Sequence, residues 1–327
     1  MHVPLRLEIL THRAGAAHRP TGSRGVAVAP SVAVTSSAPK DGFRAIGDAL
    51  VWLYEAFERV RAANDSAWLP GSPAAGEIRA ASGVTWKSDD VRNAWVDLML
   101  PLASAGDHLM TLADVLRGSR GQFASYTLAR GAVEAATKTW HLAEPGVDAD
   151  ERARRRANDR LASLQAQVWL LEGAGEDASR LRARIDAILN SARGHYAVKV
   201  AKGFGNPPFV GAKPPTEMEL LRGVLGQASQ GVDVGGTTYR LLSGVAHAAG
   251  YGLVQMIESM GPDARPGVAQ GRVRQSSPIA AAHFLAVPVT YVEAANRVID
   301  GYGWDSSAWT DPMVEALTVW RDHARQV

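Results

Sequence analysis

The sequence predicts an all-α protein, a multi-helix bundle preceded by a poorly structured N-terminal arm. Apolar residues recur at steps of three and four along most of the chain, which is the spacing of one helical face. Side chains suited to a helix N-cap precede several of these stretches. Few segments alternate as strands do, so few strands are expected.

Composition is that of an ordinary globular protein, with 46% apolar and 21% charged residues. The formal net charge of +2 provides no overall attraction for nucleic acid or for a membrane surface. Any binding of polyanions must therefore come from a local patch.

The chain divides into a tail or arm over residues 1–40 and a helical domain over residues 41–327. The arm is rich in Ala, Gly, Ser, Pro and basic residues, and only residues 26–34 resemble a strand. Residues 202–215 are rich in Gly and Pro. This segment either divides the domain into two subdomains or connects two helices of one bundle.

Each helix is predicted from its own pattern of residues. The first, over 41–63, has one apolar face that consists of Phe43, Ile46, Leu50, Leu53 and Phe57. Prolines and glycines then predict a loop over 68–87, and Ser88 to Asp90 can cap a long helix with a kink or break at Pro101. Apolar periodicity predicts further helices over 120–143, 150–172, 176–193, 216–228, 237–260, 277–301 and 311–325.

Several chemistries are excluded by residue types or by spacing. The absence of cysteine excludes disulfides, thiol nucleophiles and Cys-ligated metals. The nine histidines lack the close pairings of common zinc and iron sites, so no metal and no cofactor are predicted. No secretory signal and no apolar run of about 20 residues occur, so we expect a cytoplasmic protein without a membrane anchor.

A basic patch marks the start of the helix over 150–172, with arginines at 152, 154, 155, 156 and 160. Arg154 and Arg155 are candidates for binding phosphate. Glu151 and Asp159 lie among these arginines, which is also typical of a solvated helix face.

The predicted helix over 237–260 carries the most informative polar residues. Arg240, Ser243 and His247 follow one another at steps of three and four, so they lie close to one line. Tyr239 lies beside them, on the apolar face of the same predicted helix. If this strip is shielded from water, the arginine and the histidine need partners, which implies a cleft or an acidic neighbour.

Arg130 and Glu134 are one turn apart in the predicted helix over 120–143. Their side of the helix borders the core, so they are candidate supporting residues for the same site. An ordinary surface ion pair explains this spacing equally well.

These residues resemble patterns in known helical proteins. Arg130-x-x-x-Glu134, followed by Tyr239-Arg240-x-x-Ser243-x-x-x-His247, resembles uncharacterised all-helical bacterial families that carry an Arg-x-x-x-Glu helix and a later Ser-x-x-x-His helix. More distantly, Arg240 and His247 resemble the Arg-x4–6-His motif of HEPN domains. These domains are helical bundles, and many are metal-independent ribonucleases of toxin–antitoxin and phage-defence systems.

The resemblance implies a metal-independent endoribonuclease or a toxin-type defence effector. His247 would act as general base on an RNA 2′-hydroxyl or as acid to the leaving oxygen, and Arg240 would stabilise charge on the phosphate. Tyr239 or Ser243 would orient the phosphate. The implied partners are RNA, a second copy of the chain and an antitoxin protein. The alternative is a non-enzymatic helical protein that binds a partner or regulates it.

Overall fold

The protein is described by a computed structural model that covers residues 40–65, 67–81, 88–118, 122–200, 206–226, 233–254, 257–262, 269–273 and 276–327. Thirteen helices and four short strands form in these ranges, which confirms the all-α class and the helical bundle. The predicted arm, except Lys40, lies outside the described residues, and so does the strand-like segment 26–34.

The helices and strands are numbered in chain order. The helices are α1 (Lys40–Ala63), α2 (Pro73–Ala81), α3 (Ser88–Asp97), α4 (Met99–Arg117), α5 (Gln122–Leu142), α6 (Ala149–Gly173), α7 (Ser179–Ala192), α8 (Glu217–Gly226), α9 (Val234–Ala246), α10 (Gly250–Val254), α11 (Ser277–Phe284), α12 (Ala286–Tyr302) and α13 (Ser307–Ala324). The strands are β1 (Val198–Lys199), β2 (Phe209–Val210), β3 (Ile257–Pro262) and β4 (Ala269–Val273).

The main core is a bundle in which α1 packs on α4 and α13, and α5 packs on α4 and α12. The predicted apolar face of α1 is buried there from Phe43 to Phe57. Trp309 and Trp320 of the last helix are also fully buried, and the Trp320 indole N–H donates to the carbonyl of Ile46 at 3.1 Å. The first and last helices of the domain are therefore fixed to each other.

A second, smaller core forms between the end of α6, α7 and the β1–β2 pair. It consists of Leu161, Leu164, Val168, Ala178, Ile185, Leu189, Ala192 and Val210. The buried Asn158 amide holds β2 against α6, because it donates to the Val210 carbonyl at 3.0 Å and accepts from the Val210 N–H at 2.7 Å. The described part of the predicted break, 206–215, leads from this core to α8, whose Leu221 belongs to the main core.

Two breaks between helices follow from proline. Pro101 has no N–H to donate to the carbonyl of Asp97, four residues earlier, and its ring clashes with that carbonyl. The helix α3 ends at Asp97, in agreement with the kink or break predicted at Pro101. Pro288 has the same effect on Phe284, so the single helix predicted over 277–301 is wrong and is replaced by α11 and α12. These two helices meet at an angle of 42°.

The predicted loop over 68–87 is wrong in part, because α2 forms within it. Pro73 is the first residue of α2, where proline costs no hydrogen bond. The Ser72 hydroxyl oxygen accepts from the Ala75 N–H at 3.2 Å, so it caps the helix.

The single long helix predicted over 237–260 is also wrong. Its helix α9 ends at Ala246, and Ala248 adopts a left-handed conformation with φ of 52°. The chain then folds back so closely that a Cβ on Gly252 would lie 2.5 Å from the backbone carbon of Gly244. The small residues Gly244 and Gly252 therefore allow a tight reversal of the chain, and β3 and β4 pair beyond it.

Within the described ranges, no single helix is long and apolar enough to cross a membrane. The bent pair α11 and α12 is long and apolar enough only when the two helices are taken together. Most residues of α12 are buried in the main core, where this helix packs on α5 and α4.

Candidate functional site

His247 lies at the exposed C-terminal end of α9. Its backbone N–H donates to the Ser243 carbonyl at 3.0 Å, which closes the last turn of the helix. At the other end of α9, the Asp233 carboxylate accepts from the Gly236 N–H at 2.8 Å. Arg222 and this N–H together lower the pKa of Asp233 to about 2, so the carboxylate stays charged and holds the start of the helix.

The histidine meets an arginine from a different helix. Arg130 of α5 contacts the Nε2 atom of His247 through its NH1 group. The same guanidinium donates through Nε to Glu134 at 2.7 Å and through NH2 to the Tyr239 hydroxyl at 3.4 Å. The structure therefore brings four predicted site residues together, and we call Arg130, Glu134, Tyr239 and His247 the Arg130/His247 cluster.

Hydrogen-bond chemistry fixes the state of this contact. An arginine has only donors, so Nε2 of His247 is the acceptor in this contact. Burial opposes the charge of Arg130, but the hydrogen bond and charge of Glu134 outweigh it and raise the pKa of Arg130. Burial raises the pKa of Tyr239, so its hydroxyl is protonated at neutral pH. The cluster holds a fixed cation beside an imidazole lone pair.

Close packing of α9 on α8 and α5 positions this cluster. Gly235 lies so near α8 that a Cβ there would be 2.6 Å from the Arg222 Cα. Leu242 and Val245 are buried in the main core, so the opposite side of α9 carries the polar residues. The orientation of α9 on the bundle thus places His247 over Arg130.

Arg240 and Ser243 are not part of these contacts. The Arg240 side chain is exposed, and within the part of the chain that the structure describes it forms no hydrogen bond or ion pair. Its charge contributes weakly to the lowered pKa of Asp233. Ser243 is half-buried and meets His247 through its backbone carbonyl. No side-chain hydrogen bond links Arg240 to His247 among the described residues, so the paired role of these two residues stays a prediction.

The candidate phosphate-binding residues Arg154 and Arg155 are occupied within the protein. Arg154 donates to Glu151 at 2.6 Å and to the carbonyls of Val210 and Ala212 at 3.3 and 3.0 Å. Arg155 pairs with Glu144 at 2.6 Å and with Glu151 at 2.7 Å. Their side chains are only 13% and 11% exposed. A phosphate would have to displace these partners.

The alternative interpretation of the arginine-rich segment, a solvated helix face, is wrong for two of its members. Arg152 is 1% exposed and Arg156 is 8% exposed, so both are buried. Each is paired with carboxylates from α2 or α3. The charges at the start of α6 mainly hold helices together.

The neighbour of Arg155 leads to a prediction about pH. His141 Nδ1 lies 3.3 Å from Arg155 NH1 and must accept from it, while burial, followed by the charge of Arg155, lowers the pKa of His141 to about 4. The unfolded chain has a pKa near 6.5 at this residue, so it binds more protons than the folded protein between these two values. We expect the free energy of unfolding to fall as the pH falls from about 6.5 to about 4.

Urea unfolding at a series of pH values measures this effect. His141→Gln should flatten the dependence between pH 6.5 and 4, because the proton uptake on unfolding is removed. The exposed His195→Gln is the matched control and should keep the dependence of the wild type. Equal slopes for both variants would contradict a buried, neutral His141.

The structure contains a cavity that the sequence did not predict. It lies between α3, α6 and α7, and its lining includes Asn93, Arg160 and Arg184. In the sequence Arg160 belongs to the basic patch, and no local pattern connects Asn93 to Arg184. Their proximity depends on how the second core packs beside α3.

Among the described residues, no group of three or more His, Asp or Glu side chains is arranged to hold a metal ion. Comparisons with profiles of protein families, with curated proteins and with solved structures give no match. The resemblance to HEPN domains therefore stays a prediction.

Proposed function

We propose that this protein is a metal-independent endoribonuclease in which His247 transfers the proton and Arg130 stabilises the phosphate. The observation that supports this most strongly is the contact of the Arg130 guanidinium with an exposed imidazole nitrogen. A proton acceptor and a cation at one accessible point are two of the groups that catalyse attack of the RNA 2′-hydroxyl on the neighbouring phosphate. Glu134 and Tyr239 hold the cation in place.

In the proposed reaction, an RNA phosphate replaces His247 as the partner of the Arg130 NH1 group. The freed Nε2 lone pair accepts the proton of the 2′-hydroxyl, whose oxygen attacks phosphorus. The bond from phosphorus to the 5′-oxygen breaks, and that oxygen takes up a proton. The products are a 2′,3′-cyclic phosphate and a 5′-hydroxyl end. Arg240, exposed on the same helix, supplies a contact to the RNA backbone.

The proposal includes partners and a place of action. One cluster supplies one imidazole, so a second copy of the chain would supply the acid that protonates the leaving oxygen, as the predicted dimer implies. An antitoxin protein that covers the Arg130/His247 cluster would silence such an activity. Cytoplasmic RNA is the substrate that we infer.

The direct test is cleavage of a labelled RNA by purified protein in the presence of EDTA. We expect the wild type to produce 2′,3′-cyclic phosphate ends. His247→Ala should lower the rate about 100-fold or more, because general acid–base catalysis contributes that much. His195→Ala changes an exposed histidine outside the cluster and should keep the activity of the wild type. Equal decay with wild type and His247→Ala, or none with either, would leave the non-enzymatic alternative.

A further inference from the structure

A cavity of about 310 Å³ lies at the junction of the two cores. Its lining includes Asp90 and Asn93 from α3, Arg156 and Arg160 from α6, and Arg184 and Ile188 from α7. The volume is at the lower end of the range of small-molecule sites, which is about 300–1,000 Å³. It exceeds the size of an inorganic phosphate and leaves room for an organic group.

Arg156 lines this cavity, and two carboxylates hold its guanidinium group. Its Nε donates to Asp97 at 2.7 Å and its NH1 donates to Asp90 at 2.5 Å, and the side chain is only 10% exposed. No hydrogen bond within the described ranges uses its NH2 group. The positive charge of Arg156 is thereby offset by carboxylates, while one donor group stays available.

Arg160 and Arg184 provide charge without an internal partner. Among the described residues neither forms an ion pair or a side-chain hydrogen bond, although Arg160 is half-buried. With Asp90 offset by Arg156, the lining keeps two positive charges, one on each of two helices. Two guanidinium groups in one concave site repel each other unless an anion lies between them.

We propose that this cavity binds the dianionic phosphate of a phosphomonoester. A phosphate monoester carries a charge of about −1.5 to −2 at neutral pH, which matches Arg160 and Arg184, and guanidinium forks fit its oxygens. The Asn93 amide can donate to a third oxygen. Ile188, Ala157 and Ala187 offer an apolar wall for the organic group. A free phosphomonoester and the 5′-phosphate end of an RNA share this chemistry.

The position of the cavity gives binding a structural consequence. Trp95 of α3 belongs to the main core and Ile185 of α7 belongs to the second core. A ligand held by Asn93 and Arg184 would add contacts between α3 and α7. Binding should therefore raise the thermal stability of the protein.

The first experiment measures affinity by calorimetry and thermal unfolding with adenosine 5′-monophosphate, inorganic phosphate and uncharged adenosine. The nucleotide and phosphate should bind and raise Tm, and adenosine should not. Arg160→Gln/Arg184→Gln should weaken nucleotide binding about 10-fold or more, since hydrogen bonds to charged groups contribute that much. Arg193→Gln is the matched control, because Arg193 is exposed and follows the last residue of α7. This variant should bind the nucleotide as the wild type does.

The second experiment separates the two sources of the phosphate. The His247→Ala protein is mixed with one short RNA that has either a 5′-phosphate or a 5′-hydroxyl. Tighter binding of the 5′-phosphate RNA than of both the 5′-hydroxyl RNA and the free nucleotide identifies an RNA end. Any other order of affinities identifies the small molecule.

Absence of binding by both phosphate and the nucleotide overturns the proposal, and so does unchanged affinity in the double variant. Far-UV circular dichroism checks the fold of that variant, and Arg160→Gln and Arg184→Gln separately replace it if it unfolds. This site is independent of the proposed nuclease, because every binding measurement can be made without RNA cleavage.

Discussion

Arg152→Ala is expected to lower the free energy of unfolding by about 3–5 kcal/mol, the loss typical of removing one partner from a buried ion pair. The Arg152 side chain is 1% exposed. Its Nε and NH2 groups donate to the two oxygens of Glu77 at 2.5 and 2.9 Å. The same guanidinium donates to the carbonyls of Leu142 and Glu144, so it joins α2 to the end of α5.

The groups that Arg152 leaves behind account for the size of this loss. Among the described residues, Glu77, 20% exposed, would keep only its bond from the Trp95 indole N–H at 3.0 Å. The carbonyl of Leu142 would be buried without its donor. The guanidinium also lies 4.3 Å from the centre of the Trp95 ring, so its removal opens a gap beside that ring.

Urea unfolding of the variant measures the loss. Arg182→Ala is the matched control, because Arg182 forms an exposed pair with Glu172 and should contribute about 0–1 kcal/mol. Arg152→Met combined with Glu77→Met should recover stability relative to Arg152→Ala, since apolar side chains leave no unpaired charge. A loss below about 1 kcal/mol for Arg152→Ala would contradict a structural role for this pair.

The depth of Arg152 could not be predicted from its neighbours along the chain. Five arginines in nine positions have the local pattern of a solvated face, and the partner Glu77 lies 75 residues away. Which arginine is buried depends on where α2 and α3 cross α6. In contrast, the buried residues of α1 can be predicted from the local sequence, because the spacing of its apolar residues identifies the buried face of the helix.

The error over 237–260 has a different physical origin. Gly244 and Gly252 fit a straight helix packed on two sides, and they also fit a chain that reverses on itself. The sequence does not distinguish these because both require small residues at a close approach. The left-handed conformation of Ala248 decides between them, and an alanine carries no local signal for it.

Local spacing along the sequence predicted only part of the candidate site. Tyr239 and Arg240 lie in α9 and His247 caps its C-terminal end, so their spacing along the chain identified them. The arginine that touches His247 is instead Arg130, 117 residues away. The spacing of Arg130 and Glu134 indicated an ion pair correctly, but their approach to His247 depends on how α9 lies on α5.

Arg130→Ala is expected to lower kcat/KM for RNA cleavage by about 10²–10³, the loss typical of removing one preorganised donor to a developing negative charge. Arg130 touches His247 and is held by Glu134 and Tyr239, so its guanidinium is already oriented. Arg130→Lys should recover little, because one ammonium cannot replace a planar group with five donors.

Arg240→Ala is the matched comparison, because it removes the same charge from an exposed position that forms no ion pair with described residues. We expect it to raise KM and reduce the dependence of binding on salt by about one phosphate contact, with kcat nearly unchanged. Single-turnover cleavage at two salt concentrations separates these effects. If Arg240→Ala lowers kcat more than Arg130→Ala does, Arg240 and His247 form the catalytic pair, as the HEPN motif implies. The contact between Arg130 and His247 would then be structural.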